Sequence, residues 1–356
     1  MNLKNLFLSA VLFISVTIHR GYLYSQEILL PPEINIYAGA FPNLGGTEDD
    51  VTAEKLEKFS TLTGRIPAWV YFSNNWFNGI KFPVKEVKLI YESGSIPYIR
   101  MVPRSSFNTG KQDSLYNLDK IISGQFDIEL RKWASDAMKT AKPVLAEFAP
   151  EVNGNWFPWS GINLGGGVKD KFGSNEEEDG PGKFKAAYRH IINISREEGA
   201  FNITWVYHPN GISAPQESWN TLKSYYPGDD YIDWIGVSVY GSQKPGWKWT
   251  KFTDVFDGIY EELCGVSEVK PLAIIEFGVA EDSASGSKAE WFEDAFNSFA
   301  SGRYPKIKAI SYWHSSWQNE DGTTSNLKID SSPAALEVYK KYINGEYFNA
   351  VPVFSQ

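Results

Sequence analysis

Eight short apolar stretches, separated by segments of helical periodicity, restrict the fold of this sequence more than any other feature. Each stretch is apolar on both faces, as expected for a parallel strand that helices cover. Eight strands alternating with helices predict an α/β fold, a single (β/α)8 TIM barrel. An open doubly wound sheet fits less well, because no glycine-rich phosphate loop follows the first strand. The predicted strands are Ile34–Ala40, Ile66–Phe72, Ile96–Val102, Val144–Ala149, Ile203–His208, Ile232–Tyr240, Leu272–Phe277 and Ile307–His314.

The intervening segments carry apolar residues at helical spacing. Thr52 is placed to cap the first helix, and Ile128, Trp133 and Met138 are predicted on the apolar side of the third. The predicted helices are Thr52–Leu62, Val84–Ser93, Phe126–Ala141, Phe184–Arg196, Phe252–Leu263, Lys288–Phe299 and Pro333–Ile343.

The first 25 residues resemble a signal peptide, with a basic start at Lys4 and an apolar stretch from Leu6 to Ile18. A retained membrane anchor is the alternative. We therefore expect a secreted, periplasmic or cell-surface protein, cleaved near Ser25, in which residues 26–356 form one catalytic barrel domain.

Composition excludes several classes of partner. A net charge of −9 argues against nucleic acid and anionic membranes, which need a basic face. The single cysteine, Cys264, rules out an intramolecular disulfide. Histidines are few and lack metal-ligand spacing, which argues against a metal-dependent hydrolase. We expect a monomer with neither metal nor cofactor.

Two glutamates stand where predicted strands end, about 125 residues apart. Glu151 follows the fourth strand and precedes the aromatic residues Trp156 and Trp159, and Glu276 closes the seventh strand. Strand ends of a barrel meet at one face, and glycoside hydrolysis needs two carboxyl groups flanking one bond. We assign Glu151 as the general acid/base and Glu276 as the nucleophile. Taken singly, each is equally compatible with an ordinary surface ion pair.

Other predicted strand ends supply candidate substrate contacts. Tyr240 is a third catalytic candidate, placed to hydrogen-bond Glu276, and Trp313 is placed to form the floor under the sugar at the cleavage point. Trp156 and Trp159 are expected to stack on neighbouring sugars. Further candidates for substrate binding are Arg100, Asn153 and His208. Arg100 has an alternative role in a barrel ion pair, and His208 in capping a strand end.

A long irregular segment, residues 161–182, is expected at the mouth of the barrel. Its three glycines, Gly165 to Gly167, lack the ending of a phosphate-binding loop. Its acidic run, Glu176 to Asp179, is predicted to be solvated loop and not a metal site.

Several motifs together resemble glycoside hydrolase family 26. They are EVNGNWFPW at Glu151, AYRHI at Ala187, WVYHPN at Trp205, YYPGDDYIDWIGVSVYG at Tyr225 and IIEFG at Ile274. The resemblance implies a (β/α)8 barrel and a retaining mechanism, with the same roles for Glu151 and Glu276. It also matches Trp156, Tyr240 and Trp313 to aromatic residues of the family's site.

Two positions depart from the mannanases of that family. Pro150 replaces the usual histidine before the acid/base, and Glu147 stands where an arginine is often found. Known members are mostly β-mannanases, with mixed-linkage β-glucanases and β-1,3-xylanases. We expect a secreted retaining endo-β-glycoside hydrolase acting on β-1,4-mannan or glucomannan. A β-1,3-1,4- or β-1,4-glucan or a β-1,3-xylan comes next, and a non-catalytic polysaccharide-binding barrel is the alternative of another class.

Overall fold

Eight parallel strands close into a barrel in the computed structural model, which describes residues 27–108, 112–173, 175–282 and 284–355. Each strand pairs with the next in sequence, and β1 pairs with β8 from Tyr37 opposite Ala309 to Phe41 opposite Trp313. The predicted TIM barrel is therefore confirmed. The strands are β1 Tyr37–Phe41, β2 Trp69–Asn75, β3 Ile96–Val102, β4 Val144–Phe148, β5 Ile203–Tyr207, β6 Trp234–Tyr240, β7 Leu272–Gly278 and β8 Ile307–Trp313.

The seven predicted helices are present, and Thr52 caps the first by accepting a hydrogen bond from the Lys55 amide. A five-residue helix before the fourth barrel strand was not predicted, because so short a segment shows no clear periodicity. The helices are α1 Ala53–Thr63, α2 Val84–Glu92, α3 Leu118–Ile122, α4 Asp127–Lys139, α5 Asp179–Glu197, α6 Phe252–Cys264, α7 Lys288–Ala300 and α8 Pro333–Ile343.

The apolar face of α4 differs from the predicted one. Ile128 is 83% exposed, and Met138 is only partly buried, whereas Trp133 is buried as predicted. The buried positions are Leu130, Trp133, Ala134 and Ala137. This i, i+3, i+4, i+7 spacing defines one helical face, and Ile128, two residues before Leu130, points to the opposite side.

The acidic run does not form a solvated loop throughout. Asp179 is buried at the first turn of α5, where its carboxylate accepts the amide hydrogens of Lys171 and Phe172. Gly180 packs so closely that a Cβ there would lie 2.6 Å from the Gly161 carbonyl oxygen. The prediction failed at Asp179, because its backbone partners lie eight and seven residues earlier in the chain.

A short hairpin, β9 Ser316–Gln318 and β10 Thr324–Asn326, follows β8 and was not predicted. An ion pair from Asp321 in its turn to Lys244 joins it to the loop after β6. Trp69, Trp205 and Trp234, which lie within barrel strands, are buried in the core. No helix within the described ranges is long and apolar enough to cross a membrane. The predicted signal peptide lies outside those ranges.

Candidate active site

A cavity of about 1220 Å³ opens at the carboxyl ends of the barrel strands. It brings together six of the residues predicted from the sequence: Arg100, Glu151, Trp156, Tyr240, Glu276 and Trp313. The strand-end rule selected all but Trp156, because successive parallel strands end at one face of a barrel, and Trp156 was selected as an aromatic residue beside Glu151.

Glu151 is held in an unusual backbone conformation after β4. Its φ of 56° lies in the left-handed region, which non-glycine residues rarely adopt. The Glu151 amide donates to the His208 carbonyl at 2.7 Å, and the Trp156 indole Nε1 donates to Glu151 Oε2 at 3.0 Å. Such strain concentrates at functional sites. The result is a buried carboxyl group whose orientation is fixed from both its backbone and its side chain.

Glu276 is buried at the end of β7 and faces the same cavity. Tyr240 donates a hydrogen bond of 2.7 Å to Glu276 Oε2, and Arg100 Nη2 lies 3.7 Å from Oε1. Burial raises the pKa of Glu276 to about 7, the positive charge of Arg100 opposes this, and the charge of Glu151 adds to it. The two glutamates are thus close enough to interact electrostatically.

Arg100 lies on β3 among three carboxylates. Its Nη1 is 2.7 Å from Glu48 Oε2, and its Nε is 3.9 Å from Glu147 Oε1, in addition to the contact with Glu276. Burial alone would lower the pKa of Arg100, but electrostatic interactions with Tyr71, Glu276 and Glu48 raise it. Arg100 therefore forms the ion pairs of its alternative role and also lines the cavity, while its contact with substrate stays a prediction.

A fully buried polar layer lies beneath the cavity. Glu147 accepts hydrogen bonds from the hydroxyls of Tyr71 and Tyr98, the latter at 2.7 Å, and pairs with His208 Nδ1 at 3.0 Å. The Tyr71 hydroxyl also lies 3.2 Å from Glu276 Oε1. Sequence reasoning missed this layer, although an acid inside an apolar strand signals a buried partner. Through the Tyr71 hydroxyl, this layer connects the carboxylate of Glu147 on β4 to that of Glu276 on β7.

Three predicted substrate contacts do not line the cavity. His208 is buried between Glu147 and Ser238, whose Oγ lies 2.9 Å from Nε2. Trp159 is buried and donates to the Pro150 carbonyl at 2.8 Å. Asn153 is also buried, with its amide donating to the Asn210 carbonyl and accepting from the Asn210 amide. The structure does not bring these three side chains to the cavity, because each polar group is satisfied inside the protein.

Aromatic side chains form much of the cavity wall. Trp313 stacks on Phe41 with ring centres 3.9 Å apart and presents its other side to the cavity. Three exposed rings of the lining were not selected from the sequence: Phe107 and Trp247 on loops, and Trp317 on β9. They lie beyond the strand ends, where the strand-end rule gives no information.

The two carboxyl groups lie in different environments, as a reaction requires in which one acts as an acid and the other as a nucleophile. Glu151 meets an indole N–H, whereas Glu276 meets a phenol and a guanidinium. Across the described stretches, no group of three or more His, Cys, Asp or Glu side chains is arranged to hold a metal ion.

Comparison with known proteins supports this chemistry. A sequence model of Glycosyl hydrolase family 26 matches residues 107–320. Endoglucanase H of Acetivibrio thermocellus is 29% identical over 84% of this chain, which spans 29% of that protein's length. A β-1,3-xylanase, TXYA of a Vibrio species, is 23% identical over 57% of this chain, corresponding to 42% of its own length.

Solved structures show the same fold. The catalytic domain of the GH26 endo-β-1,4-mannanase from Bacillus sp. JAMB-750 superposes with a TM-score of 0.63 at 16% identity. The match covers 89% of this chain and 88% of that domain. Because the family match extends over more than half of the sequence, the chain belongs to glycosyl hydrolase family 26, a family of glycoside hydrolases.

Proposed function

We propose that the protein is a secreted, retaining endo-β-glycanase with Glu151 as acid/base and Glu276 as nucleophile. The observation that carries this proposal is the placement of both acids in one cavity, each with its own hydrogen-bond donor. Retention requires one carboxyl group that donates a proton and one that attacks carbon.

In the first step, Glu151 protonates the glycosidic oxygen while a Glu276 oxygen attacks the anomeric carbon. The bond from that carbon to the leaving sugar breaks, and a covalent glycosyl–Glu276 ester forms. In the second step, Glu151 takes a proton from water, and the water oxygen displaces Glu276. Tyr240 and Arg100 stabilise the Glu276 carboxylate before attack and after its release.

The shape of the cavity supports action within a polysaccharide chain. Its volume of about 1220 Å³ exceeds the roughly 300–1,000 Å³ of ordinary small-molecule sites. Exposed rings line it from segments after different barrel strands, with Phe107 on the loop after β3 and Trp317 on the hairpin after β8. Trp313 and Trp156 would then stack on sugars next to the cleaved bond.

For the substrate we favour a β-1,3-1,4- or β-1,4-glucan over a β-mannan, which reverses the order expected from the sequence. Support comes from the likeness to an endoglucanase over 84% of the chain. Pro150, which precedes Glu151, also has neither an amide hydrogen nor a side-chain donor for a substrate hydroxyl. Mannan or glucomannan is the second candidate, supported by the fold shared with an endo-β-1,4-mannanase.

The test is a product profile on barley β-glucan, carboxymethylcellulose, glucomannan, galactomannan and β-1,3-xylan, with Glu276→Ala as the blank. We expect mixed-length oligosaccharides from the β-glucan and little from galactomannan. Release of monosaccharide or disaccharide alone would contradict endo action. Binding without cleavage of any polymer would favour the non-catalytic barrel. N-terminal sequencing of the exported protein tests cleavage near Ser25.

A further inference from the structure

We propose that Arg104 and Phe107 form a sugar-binding subsite, apart from the reaction centre, that holds one neutral pyranose unit of the polysaccharide. The inference rests on the proposed glycanase function. Both side chains lie on the loop after β3 and line the same cavity as Glu151 and Glu276.

Arg104 is a buried cation that forms no ion pair with any of the described residues. Its side chain is only 6% exposed, yet within the described part of the chain no carboxylate oxygen lies within 4 Å of it. Arg100, four residues earlier, has three such neighbours. A buried guanidinium normally needs acceptors for its several N–H groups. The guanidinium of Arg104 therefore has hydrogen-bonding capacity left for a ligand.

The orientation of this guanidinium is fixed. Its Nε and Nη2 both donate to Asn75 Oδ1, at 3.3 and 3.0 Å, whereas Nη1 has no hydrogen-bond partner among the described residues. Asn75 is itself held by donation to the Thr47 carbonyl at 2.7 Å and to Asp49 Oδ2 at 3.1 Å. A donor fixed in this way loses little conformational freedom when a ligand binds.

Two phenyl rings flank the guanidinium. Its central carbon lies 4.2 Å from the ring centre of Phe107 and 5.7 Å from that of Phe77. Phe107 is 49% exposed, so part of its ring remains open to the cavity. An aromatic surface beside a charged donor matches a pyranose, which has an apolar face of C–H groups and hydroxyl oxygens at its edge.

The charges of the cavity indicate a neutral sugar. Among the described residues of its lining, the acidic groups are Glu48, Glu151 and Glu276, and the basic ones are Arg100 and Arg104. With Glu151 protonated as the proposed acid, two acidic and two basic groups balance, and a sugar hydroxyl can accept a hydrogen bond from Arg104 without adding a charge. Arg104 has no ion pair with Glu151 or Glu276, so the bound sugar is a neighbour of the unit that reacts.

The experiment compares kcat/KM on a neutral hexasaccharide of the cleaved polymer with kcat/KM on an activated aryl disaccharide. For Arg104→Met we expect this ratio to fall about tenfold, the loss of one charged hydrogen bond, and for Phe107→Ala we expect a fall of similar size from the loss of the stacking ring. The matched control is Arg189→Met. Arg189 also lies over a ring, 5.3 Å from the centre of Tyr231, and donates to a carbonyl, but outside the cavity.

Equal losses on both substrates, or a ratio equal to that of the control, would overturn the subsite. A loss confined to oligosaccharides containing uronic acid would also overturn it. Because Phe107 is half-exposed, Phe107→Ala keeps the test valid if Arg104→Met does not fold. A wild-type protein inactive on every polymer would contradict the glycanase proposal instead. Affinity electrophoresis in barley β-glucan, glucomannan or β-1,3-xylan would then test the subsite by binding alone. We expect the polysaccharide to retard Arg104→Met less than Arg189→Met, and equal retardation would overturn the subsite.

Discussion

Tyr240 donates a hydrogen bond of 2.7 Å to Oε2 of Glu276, a carboxylate buried at the end of the neighbouring strand. Burial raises the pKa of Glu276, whereas this bond lowers it by stabilising the ionised form. The phenol therefore helps to keep the proposed nucleophile charged in a site that otherwise favours its protonation.

Replacement of Tyr240 by Phe should move the acidic limb of the kcat/KM profile to higher pH by about one unit, because the carboxylate loses a donor. We expect kcat to fall about 10-fold or more at neutral pH. Tyr226→Phe is the control, since Tyr226 donates an equally short bond to Asp229 at the protein surface. An unshifted acidic limb in Tyr240→Phe would contradict this role.

Glu276 should also make the protein less stable at alkaline pH. Its pKa is about 7 in the folded protein against an ordinary 4.5, so the folded form binds a proton that the unfolded chain releases. The contribution of this proton to the free energy of unfolding is therefore complete below about pH 4.5 and is lost as the pH rises through 7.

We therefore expect Glu276→Gln to melt about 2–5 °C above the wild type at pH 8, with a smaller difference at pH 5. Differential scanning calorimetry at both values measures this. Glu290→Gln, an exposed change on α7, should behave like the wild type. A Gln variant that melts lower than the wild type at pH 8 would refute the argument.

Glu147 should be essential for the charge of His208. Burial alone would raise the pKa of Glu147, but His208 and Arg100 lower it, and Glu147 in turn raises the pKa of His208. In Glu147→Gln, burial is left to dominate, so the pKa of His208 should fall below its ordinary 6.5, as read by NMR titration. Loss of one partner of this buried pair should cost about 3–5 kcal/mol.

The exposed pair of Asp257 with Arg303 supplies the control, and Asp257→Asn should hardly change the melting temperature. A His208 pKa that stays raised in Glu147→Gln would show that another group holds its proton.

Trp156 should assist Glu151 through the indole N–H that contacts Oε2 at 3.0 Å. Trp156→Phe keeps an aromatic ring and removes this donor. We expect kcat/KM to fall about tenfold for phenyl glycosides and much less for 2,4-dinitrophenyl glycosides, whose leaving group needs no proton. Trp247→Phe, which alters another wall of the cavity, should affect both substrates equally. The same pattern in the two variants would argue against a role for the indole N–H.

The sequence was informative where burial and periodicity act locally. β3 and α8 were predicted with their observed ends, and the strand-end rule located Glu151 and Glu276. The ends of long apolar strands and of capped helices can be predicted from the sequence, because the signals that mark them lie in neighbouring residues.

What the sequence did not predict depends on contacts between distant segments. Tyr71 and Glu147, 76 residues apart, meet inside the barrel, and Arg104 is oriented by Asn75 of another strand. Trp159 and Asn153 resembled surface residues, but their partners, Pro150 and Asn210, keep them buried. No pattern within one segment distinguishes a tryptophan that lines a cleft from one packed behind it.

The most direct test of the proposed mechanism is the anomeric configuration of the glycosyl azide formed from a 2,4-dinitrophenyl β-glycoside in the presence of azide. In Glu151→Ala, azide should attack the glycosyl–Glu276 ester and give the β-azide. In Glu276→Ala, azide should take the nucleophile's place and give the α-azide. An α-azide from Glu151→Ala, or a β-azide from Glu276→Ala, would contradict the assignment of the two glutamates.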